Sequence, residues 1–381
     1  MTDGKEKERY LYIDNLRLLM IIFVVMMHLA VTYSGIGGWY TVERKELGIF
    51  QTAFFGLYQS FTQAYFMGFL FLISGYFVKK SYDKKGFQRF IKDRLIRLGI
   101  PTLIYMLLIT PFIMVVLLDY TWEGHSAIEV YIQYIVSLDF LGSSGPLWFA
   151  FALLIFNIVY ALLRKVSKKQ QENGEKELPG MGAAILLILL IFAGAFLIRL
   201  VQPIGTSILN MQLCYFAQYI ILFIVGVTAG KYRWFSKLTY QSGRKWLFAA
   251  LVPGILCWAV IILAGGALNG NDGLLYGGLH WQSAAYALWE SFTAVAMSIG
   301  LITVFREKYN KQSRFVKTLS DNSFAVYVFH APVIIAVTLA MTNLHTDPVI
   351  KFLLACILGI PLSFLFSHYI FRRIPFLKKV L

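Results

Sequence analysis

The chain has 381 residues, of which 58% are hydrophobic and only 14% are charged, and its formal net charge is +15. Its mean hydropathy of +0.65 excludes an ordinary soluble domain, in which about a quarter of the residues are charged. The composition therefore predicts an integral membrane protein.

Apolar runs long enough to cross a hydrocarbon core, which takes about 20 residues each, recur along the whole chain. We predict an all-α, polytopic membrane protein with about ten transmembrane helices, in a single domain (1–381) without an appended soluble domain. The three Cys residues fall in separate spans without a paired spacing, which predicts neither a disulfide nor a metal site. The predicted spans are 12–34, 54–78, 99–119, 145–163, 181–200, 210–230, 246–266, 282–304, 322–341 and 348–371.

The distribution of Lys and Arg supports this division, because these residues collect in cytoplasmic loops. With the N-terminus inside, the predicted cytoplasmic segments contain 30 of the 35 Lys and Arg residues. We therefore predict that both termini are cytoplasmic. The net charge then reflects membrane orientation, with anionic lipid and an anionic cytoplasmic substrate as partners and no nucleic acid. These segments are 1–10, 79–98, 164–180, 231–245, 306–321 and 372–381.

The first predicted span, YIDNLRLLMIIFVVMMHLAVTYS, contains three side chains that hydrocarbon solvates badly: Asp14, Arg17 and His28. At about 100° per residue, Arg17 and His28 project from one helix face, about 16 Å apart along the axis. Asp14 is within pairing distance of Arg17. Snorkelling of Arg17 and a packed His28 would also explain the pattern. The shared face favours a lined cavity.

Later spans contribute further polar side chains at membrane depth. Ser74 in FLFLISGYF is a candidate nucleophile, although Ser-Gly pairs also permit close helix packing. Glu290 has no Lys or Arg within a helical turn, so it needs a partner from another helix or must be protonated. Arg199 and His368 lie near helix ends and are predicted to snorkel.

His330 lies in SFAVYVFHAPV, two residues before Pro332. A proline cannot donate to the carbonyl of Val328, and a freed carbonyl beside a histidine suits a ligand cavity. A proline kink with a packed histidine is the alternative interpretation.

Five sequence blocks follow one another along the chain: the Arg-x10-His helix, FLFLISGYF, the basic loop ending KDRLIRLGIP, GPLWF at 145–149 and SFAVYVFHAPV. From Tyr12 to its end, the chain resembles the membrane-bound acyltransferase 3 family, and within it the glucan biosynthesis protein C branch. The resemblance implies O-acyl transfer from cytoplasmic acyl-CoA to a hydroxyl of an extracytoplasmic glycan or lipid-linked saccharide. It also implies a bacterial inner-membrane location, with acetyl or succinyl as the expected acyl group.

The resemblance implies roles for the polar side chains. His28 would act as the general base or as a transient acyl carrier, and both alternatives stay open. His330, or else Glu290, would orient the imidazole or stabilise the developing charge. Ser74 and Trp148 are further candidate site residues.

CoA is polyanionic, and the loop 79–97 offers eight cations, among them Lys92, Arg94 and Arg97. Arg17, held by Asp14, would contact the phosphates through its planar guanidinium.

Aromatic residues of the external loops would stack on the sugar faces of the acceptor, although interfacial aromatic belts explain them equally well. They are Trp39, Tyr40, Trp122, Tyr276 and Trp281.

A secondary transporter or channel that uses the same intramembrane charges as an ion path is the competing hypothesis. Transporters often contain inverted repeats with Gly- or Pro-broken helices in matching positions, and the sequence shows no such pair. Consumption of acyl-CoA by the purified protein distinguishes the two.

Overall fold

The computed structural model describes residues 10–43, 46–120, 125–167 and 176–380, which form helices joined by loops, without a β-strand in these ranges. Nine helical segments within them are long and apolar enough to cross a membrane. The prediction of an all-α, polytopic membrane protein is confirmed. The helices of ten residues or more are α1 (Leu11–Ser34), α2 (Ile49–Arg94), α3 (95–117), the short α4 (Ala127–Val136), α5 (Trp148–Val166), α6 (Met181–Arg199), α7 (Phe216–Tyr232), α8 (Tyr240–Asn269), α9 (Trp281–Lys308), α10 (Arg314–Ala340) and α11 (Pro348–Tyr369).

One of the nine segments, Ile49–Leu117, is 69 residues long and contains two of the predicted spans. As a straight helix it would extend about 100 Å, several times the thickness of the hydrocarbon core. Its backbone leaves the helical conformation at Gly86, where φ is 71°. The chain reverses there, since Arg94 donates to the hydroxyl of Ser81 at 3.1 Å, although 13 residues separate them. Helices α2 and α3 are therefore two crossings, in agreement with the ten predicted.

Hydrogen bonds and ion pairs join the predicted cytoplasmic segments at one end of the helix bundle. Asn15 near the start of α1 donates to the carbonyls of Tyr309 at 2.7 Å and Lys311 at 3.1 Å. Arg164 in the last turn of α5 pairs with Asp83 at 2.8 Å. The described parts of these basic loops thus share one end of the molecule, while residues 168–175 of the predicted linker 164–180 lie outside the described residues.

Helices α2 and α7 pack backbone against backbone through glycine. A Cβ atom at Gly75 would overlap the carbonyl of Phe223, and one at Gly226 would overlap the carbonyl of Leu72. Small residues allow this approach between helices in a membrane. The packing interpretation of the Ser-Gly pair agrees with this contact, and Ser74 itself is half-buried beside it.

Helix α1 ends at Gly35, which adopts a left-handed conformation with φ of 67° and donates its backbone N–H to the carbonyl of Val31. Glycine adopts this conformation without the steric cost that a Cβ atom adds. The chain then turns back over the end of the bundle. This turn brings Trp39 against the ring of His28.

Candidate active site

A cavity of about 1640 Å³ opens between the helices, and His28 forms part of its wall. Aromatic rings and uncharged amides dominate its polar lining, among them Gln63, Trp148 and Asn210. Lys and Arg are absent from the described residues that line it. In the part of the chain that the structure describes, no group of three His, Cys, Asp or Glu residues is placed to hold a metal ion.

The ring of His28 stacks on two other rings from distant parts of the chain. Its centroid lies 3.8 Å from that of Trp39, with 17° between the planes. It lies 5.3 Å from the centroid of His330, with 19° between the planes. His28 is half-buried and reaches the cavity, whereas His330 is fully buried behind it. The structure thus brings together the two predicted histidines.

The hydrogen bonds of His330 define its tautomer. Its Nδ1 lies 3.1 Å from the carbonyl oxygen of Val326 and 3.0 Å from that of Tyr327. Carbonyl oxygens only accept, so Nδ1 carries the proton and Nε2 is the basic nitrogen. Nε2 is buried without a hydrogen-bond partner among the described residues. A basic nitrogen of this kind can accept a proton or a hydrogen bond.

Tyr327 joins two of the five sequence blocks at the cavity. Its hydroxyl donates to the carbonyl of Pro146 at 2.5 Å and accepts from the backbone N–H of Ala150 at 3.3 Å. Trp148, in the same GPLWF block, lines the cavity and stacks on Tyr219 at a centroid distance of 5.8 Å. The predicted candidate Trp148 therefore lies at the cavity that His28 also lines.

A second group of predicted residues gathers near the start of α1. The guanidinium of Arg17 lies 3.5 Å from the carboxylate of Asp14 and 5.1 Å from the ring centroid of Phe77. It is also near enough to Arg94 for the two cations to repel each other. The Nε of Arg94 is buried and has no partner among the described residues. Adjacent guanidinium groups suit an anionic ligand.

Two further cations of the predicted donor site border this group. Lys92 is exposed, and Arg97 is exposed with its Nε 3.5 Å from the carboxylate of Asp93. Asp93 also pairs with Lys85 at 2.7 Å. The basic loop is therefore partly neutralised by its own carboxylate, while Lys92 faces solvent.

Glu290, which we predicted as a partner of the imidazole, does not reach either histidine. It pairs with Arg199, and their exposed fractions are 4% and 1%. Neither residue lines the cavity. The predicted partner from another helix is thus present. The prediction that Arg199 snorkels is wrong, because its guanidinium binds Glu290 and lies over the rings of Tyr215 and Tyr286, 5.4 and 5.9 Å from their centroids.

The predicted external aromatic residues divide into two groups. Trp39, Tyr40 and Tyr276 line the cavity, whereas Trp281 does not. Trp122 lies outside the described residues. The contact of Trp39 with His28 was not predicted, since the sequence places Trp39 only in a loop. Ser74 does not line the cavity either.

The resemblance noted from the sequence blocks is confirmed by comparison with known proteins. A family model described as an acyltransferase domain matches residues 10–368. The chain belongs to this family. It is similar to Glucans biosynthesis protein C of Escherichia coli (strain K12), with 24% identity over 97% of this chain and 94% of that protein. The protein of the same name from Salmonella schwarzengrund (strain CVM19633) matches with the same identity and coverage.

No solved structure matches the chain. Family membership together with the apolar helices makes this protein a multi-pass membrane acyltransferase. Its two clusters, the histidines at the cavity and the arginines near the start of α1, are therefore the candidate parts of an acyltransferase site.

Proposed function

We propose that this acyltransferase moves an acyl group from cytoplasmic acyl-CoA to a hydroxyl of an extracytoplasmic glycan or glycan precursor. The position of His28 is the observation that carries the proposal. It lies at the wall of the large cavity, on the same helix as Arg17 and about 16 Å farther along the axis. One helix thus links a cationic cluster to a base in a cavity. The bacterial relatives favour the inner membrane as the location.

The donor would bind with its phosphates at the cationic cluster. Arg17 and Arg94 offer planar guanidinium groups for bidentate contacts, and Lys92 adds an exposed point charge. The pantetheine arm would then extend between the helices and present the thioester to His28. Acetyl and succinyl remain the proposed acyl groups.

The acceptor would enter the cavity from the opposite end of α1. Aromatic rings and side-chain amides, such as those of Trp148, Tyr276 and Gln63, line it. Such rings can stack on the apolar faces of sugars, while amides bond to their hydroxyls. The volume of about 1640 Å³ exceeds the 300–1,000 Å³ of common small-molecule pockets, which supports an acceptor of several sugar units.

In the direct route, the imidazole of His28 takes the proton of the acceptor hydroxyl as that oxygen attacks the thioester carbonyl. The carbon–oxygen bond forms, the carbon–sulfur bond breaks, and the departing thiolate takes the proton from the imidazolium. In the two-step route, an imidazole nitrogen of His28 attacks the thioester carbonyl, the carbon–sulfur bond breaks, and the departing thiolate takes the proton of the other ring nitrogen. The acceptor hydroxyl then attacks the acyl-imidazole, and its proton passes to the imidazole as the carbon–nitrogen bond breaks. The buried Nε2 of His330 would stabilise or accept the transferred proton in either route.

Family membership favours acyl transfer over the competing transporter hypothesis, because the matched family is one of acyltransferases. Purified protein should therefore consume acyl-CoA when a glycan acceptor is supplied.

Variants of His28 test the proposal. His28→Ala should retain yield and CoA affinity, while acyl transfer falls by about 10² to 10⁴, the usual contribution of a positioned acid-base group. His28→Gln should do no better, because an amide cannot take up the proton. His368→Gln is the matched control, since this exposed histidine lies at the far end of α11. Protein yield, CoA binding and transfer are measured on each variant.

A well-expressed His28→Gln variant with near-parental transfer would overturn the assignment, because it would show that a hydrogen bond suffices at this position. Mass spectrometry of a rapidly quenched reaction separates the two routes: an acyl adduct on His28 supports the two-step route, and its absence during turnover supports the direct one.

A further inference from the structure

The loop that follows α1, residues 35–43, is anchored to the rest of the protein at more than one point, and we call it the Trp39 loop. The backbone N–H of Glu43 donates to the carbonyl of Thr32 at 2.8 Å. The hydroxyl of Tyr40 lies 3.2 Å from that of Tyr105. These bonds fix the position of a segment that lies outside any helix.

A fully buried lysine provides a further anchor. Lys351, in the first turn of α11, has an exposed fraction of 0%, and its Nζ lies 2.6 Å from the carboxylate of Glu43. It also lies 3.4 Å from the carbonyl of Thr342 and over the ring of Tyr33. An unpaired charge buried in this way would cost several kcal/mol, so lysines seldom occupy such positions without a specific partner. Lys351 therefore ties the end of the Trp39 loop to α11.

The orientation of the His28 ring depends on this loop. The side chain of His28 forms no hydrogen bond with the described residues, unlike that of His330, which bonds two carbonyls. Its nearest ring neighbour is Trp39, 3.8 Å away between centroids and nearly parallel. Stacking rather than hydrogen bonding thus sets which way the imidazole nitrogens point.

We propose that Trp39 is a positioning residue for His28, and that the ion pair between Lys351 and Glu43 holds Trp39 in place. The catalytic part of this inference rests on the role proposed for His28. A general base must lie within hydrogen-bond reach of the proton that it removes. A tilt of the ring would move its nitrogens away from the acceptor while leaving the donor site near Arg17 unchanged.

Substitution of Trp39 tests the stacking. Trp39→Leu should lower kcat by up to about 100-fold, the scale of a displacement of about 1 Å at a reacting group, while the Kd for acyl-CoA stays within about twofold. Trp39→Phe should keep most of the activity, because a planar ring remains above the imidazole. Trp246→Leu is the matched control: this tryptophan packs against Phe292 and does not line the cavity.

Chemical modification gives a readout that does not depend on turnover. Diethylpyrocarbonate modifies unprotonated imidazoles that it can reach, and mass spectrometry reports the rate at His28. Trp39→Leu should increase this rate several-fold, whereas Trp39→Phe and Trp246→Leu should leave it near that of the parent. Parental reactivity and kcat in Trp39→Leu would overturn the inference. If His28→Gln proved active, the proposed function would fail, while the reactivity data would still decide the positioning.

The ion pair is tested with the same two measurements. Lys351→Met and Glu43→Gln should each raise the reactivity of His28 and lower kcat, in the direction of Trp39→Leu. The reversed pair, Glu43→Lys with Lys351→Glu, should bring the reactivity of His28 and kcat part of the way back to their parental values. Folded Lys351→Met with parental reactivity at His28 would contradict the proposed role of the pair. If the single variants fail to accumulate, Lys351→Arg should retain the parental kcat and the parental reactivity of His28. A changed reactivity in that variant would also contradict the proposed role of the ion pair.

Discussion

Arg17 and His28 share one face of α1, but their surroundings differ. His28 meets other rings at the cavity wall, whereas Arg17 is part of a cationic cluster and its side chain is 41% exposed. The salt bridge to Asp14 at 3.5 Å is long and partly exposed, so it contributes little to stability. A role in binding an anion accounts for Arg17 better than a role in folding.

Arg17→Lys separates these roles. It keeps the positive charge but loses the planar fork, and losing one charge-assisted hydrogen bond of about 1.5–3 kcal/mol should weaken acyl-CoA binding about 10- to 100-fold. The thermal stability of the purified protein should change little. Equilibrium binding of a non-hydrolysable acyl-CoA analogue measures the effect. An unchanged affinity for acyl-CoA would favour the interpretation in which Arg17 snorkels to the membrane interface.

At the scale of the elements, buried polar contacts tie helices that are distant in sequence. Arg199 at the end of α6 binds Glu290 in the middle of α9, and both are shielded from solvent. Three atoms of this pair have no hydrogen-bond partner among the described residues: Nε and Nη1 of Arg199 and Oε1 of Glu290. A pair of this kind specifies which helices pack, but it does not add much stability over apolar residues of similar size.

Removing one partner of the pair should therefore destabilise the protein more than replacing both partners with apolar residues. Arg199→Met or Glu290→Gln alone should destabilise the protein by about 3–5 kcal/mol, because each leaves an uncompensated buried group. The double variant, Arg199→Met with Glu290→Met, should recover most of that loss. Thermal unfolding in detergent, followed for all three variants, checks this. Single variants as stable as the parent would show that the pair has no structural role.

At the scale of the whole molecule, the described basic loops meet at one end of the bundle, and the Trp39 loop lies at the other. The positive-inside tendency predicts that the basic end faces the cytoplasm. The proposed acyl transfer across the membrane depends on this orientation, because the proposed donor cluster would have to face the cytoplasmic pool of acyl-CoA.

Two glycine positions give a matched test of orientation. Gly38, in the Trp39 loop, and Gly180, before α6, are both exposed, and a Cβ atom at either would meet no other atom within 4 Å. In a background with Cys257→Ser, which removes the exposed native cysteine, Gly38→Cys should react with an impermeant maleimide in intact cells. Gly180→Cys should react only after lysis. Labelling of Gly180→Cys in intact cells would reverse the predicted topology.

The amino-acid sequence by itself determined the class of protein, the number of crossings and the shared helix face of Arg17 and His28. These properties depend on composition and on the local periodicity of a helix, which a single segment contains. Its five blocks also identified the family, later confirmed over residues 10–368. The requirement that Glu290 either find a partner on another helix or be protonated followed from the cost of a lone charge in hydrocarbon.

Only the tertiary structure decided which partners these residues have. Glu290 binds a residue 91 positions away, and Lys351 binds one 308 positions away, in a loop whose chain path no local pattern predicts. The stacking of Trp39 on His28 depends on that path. Helical periodicity shows which way a side chain points from its own helix. What it meets there depends on how the helices and loops pack around it.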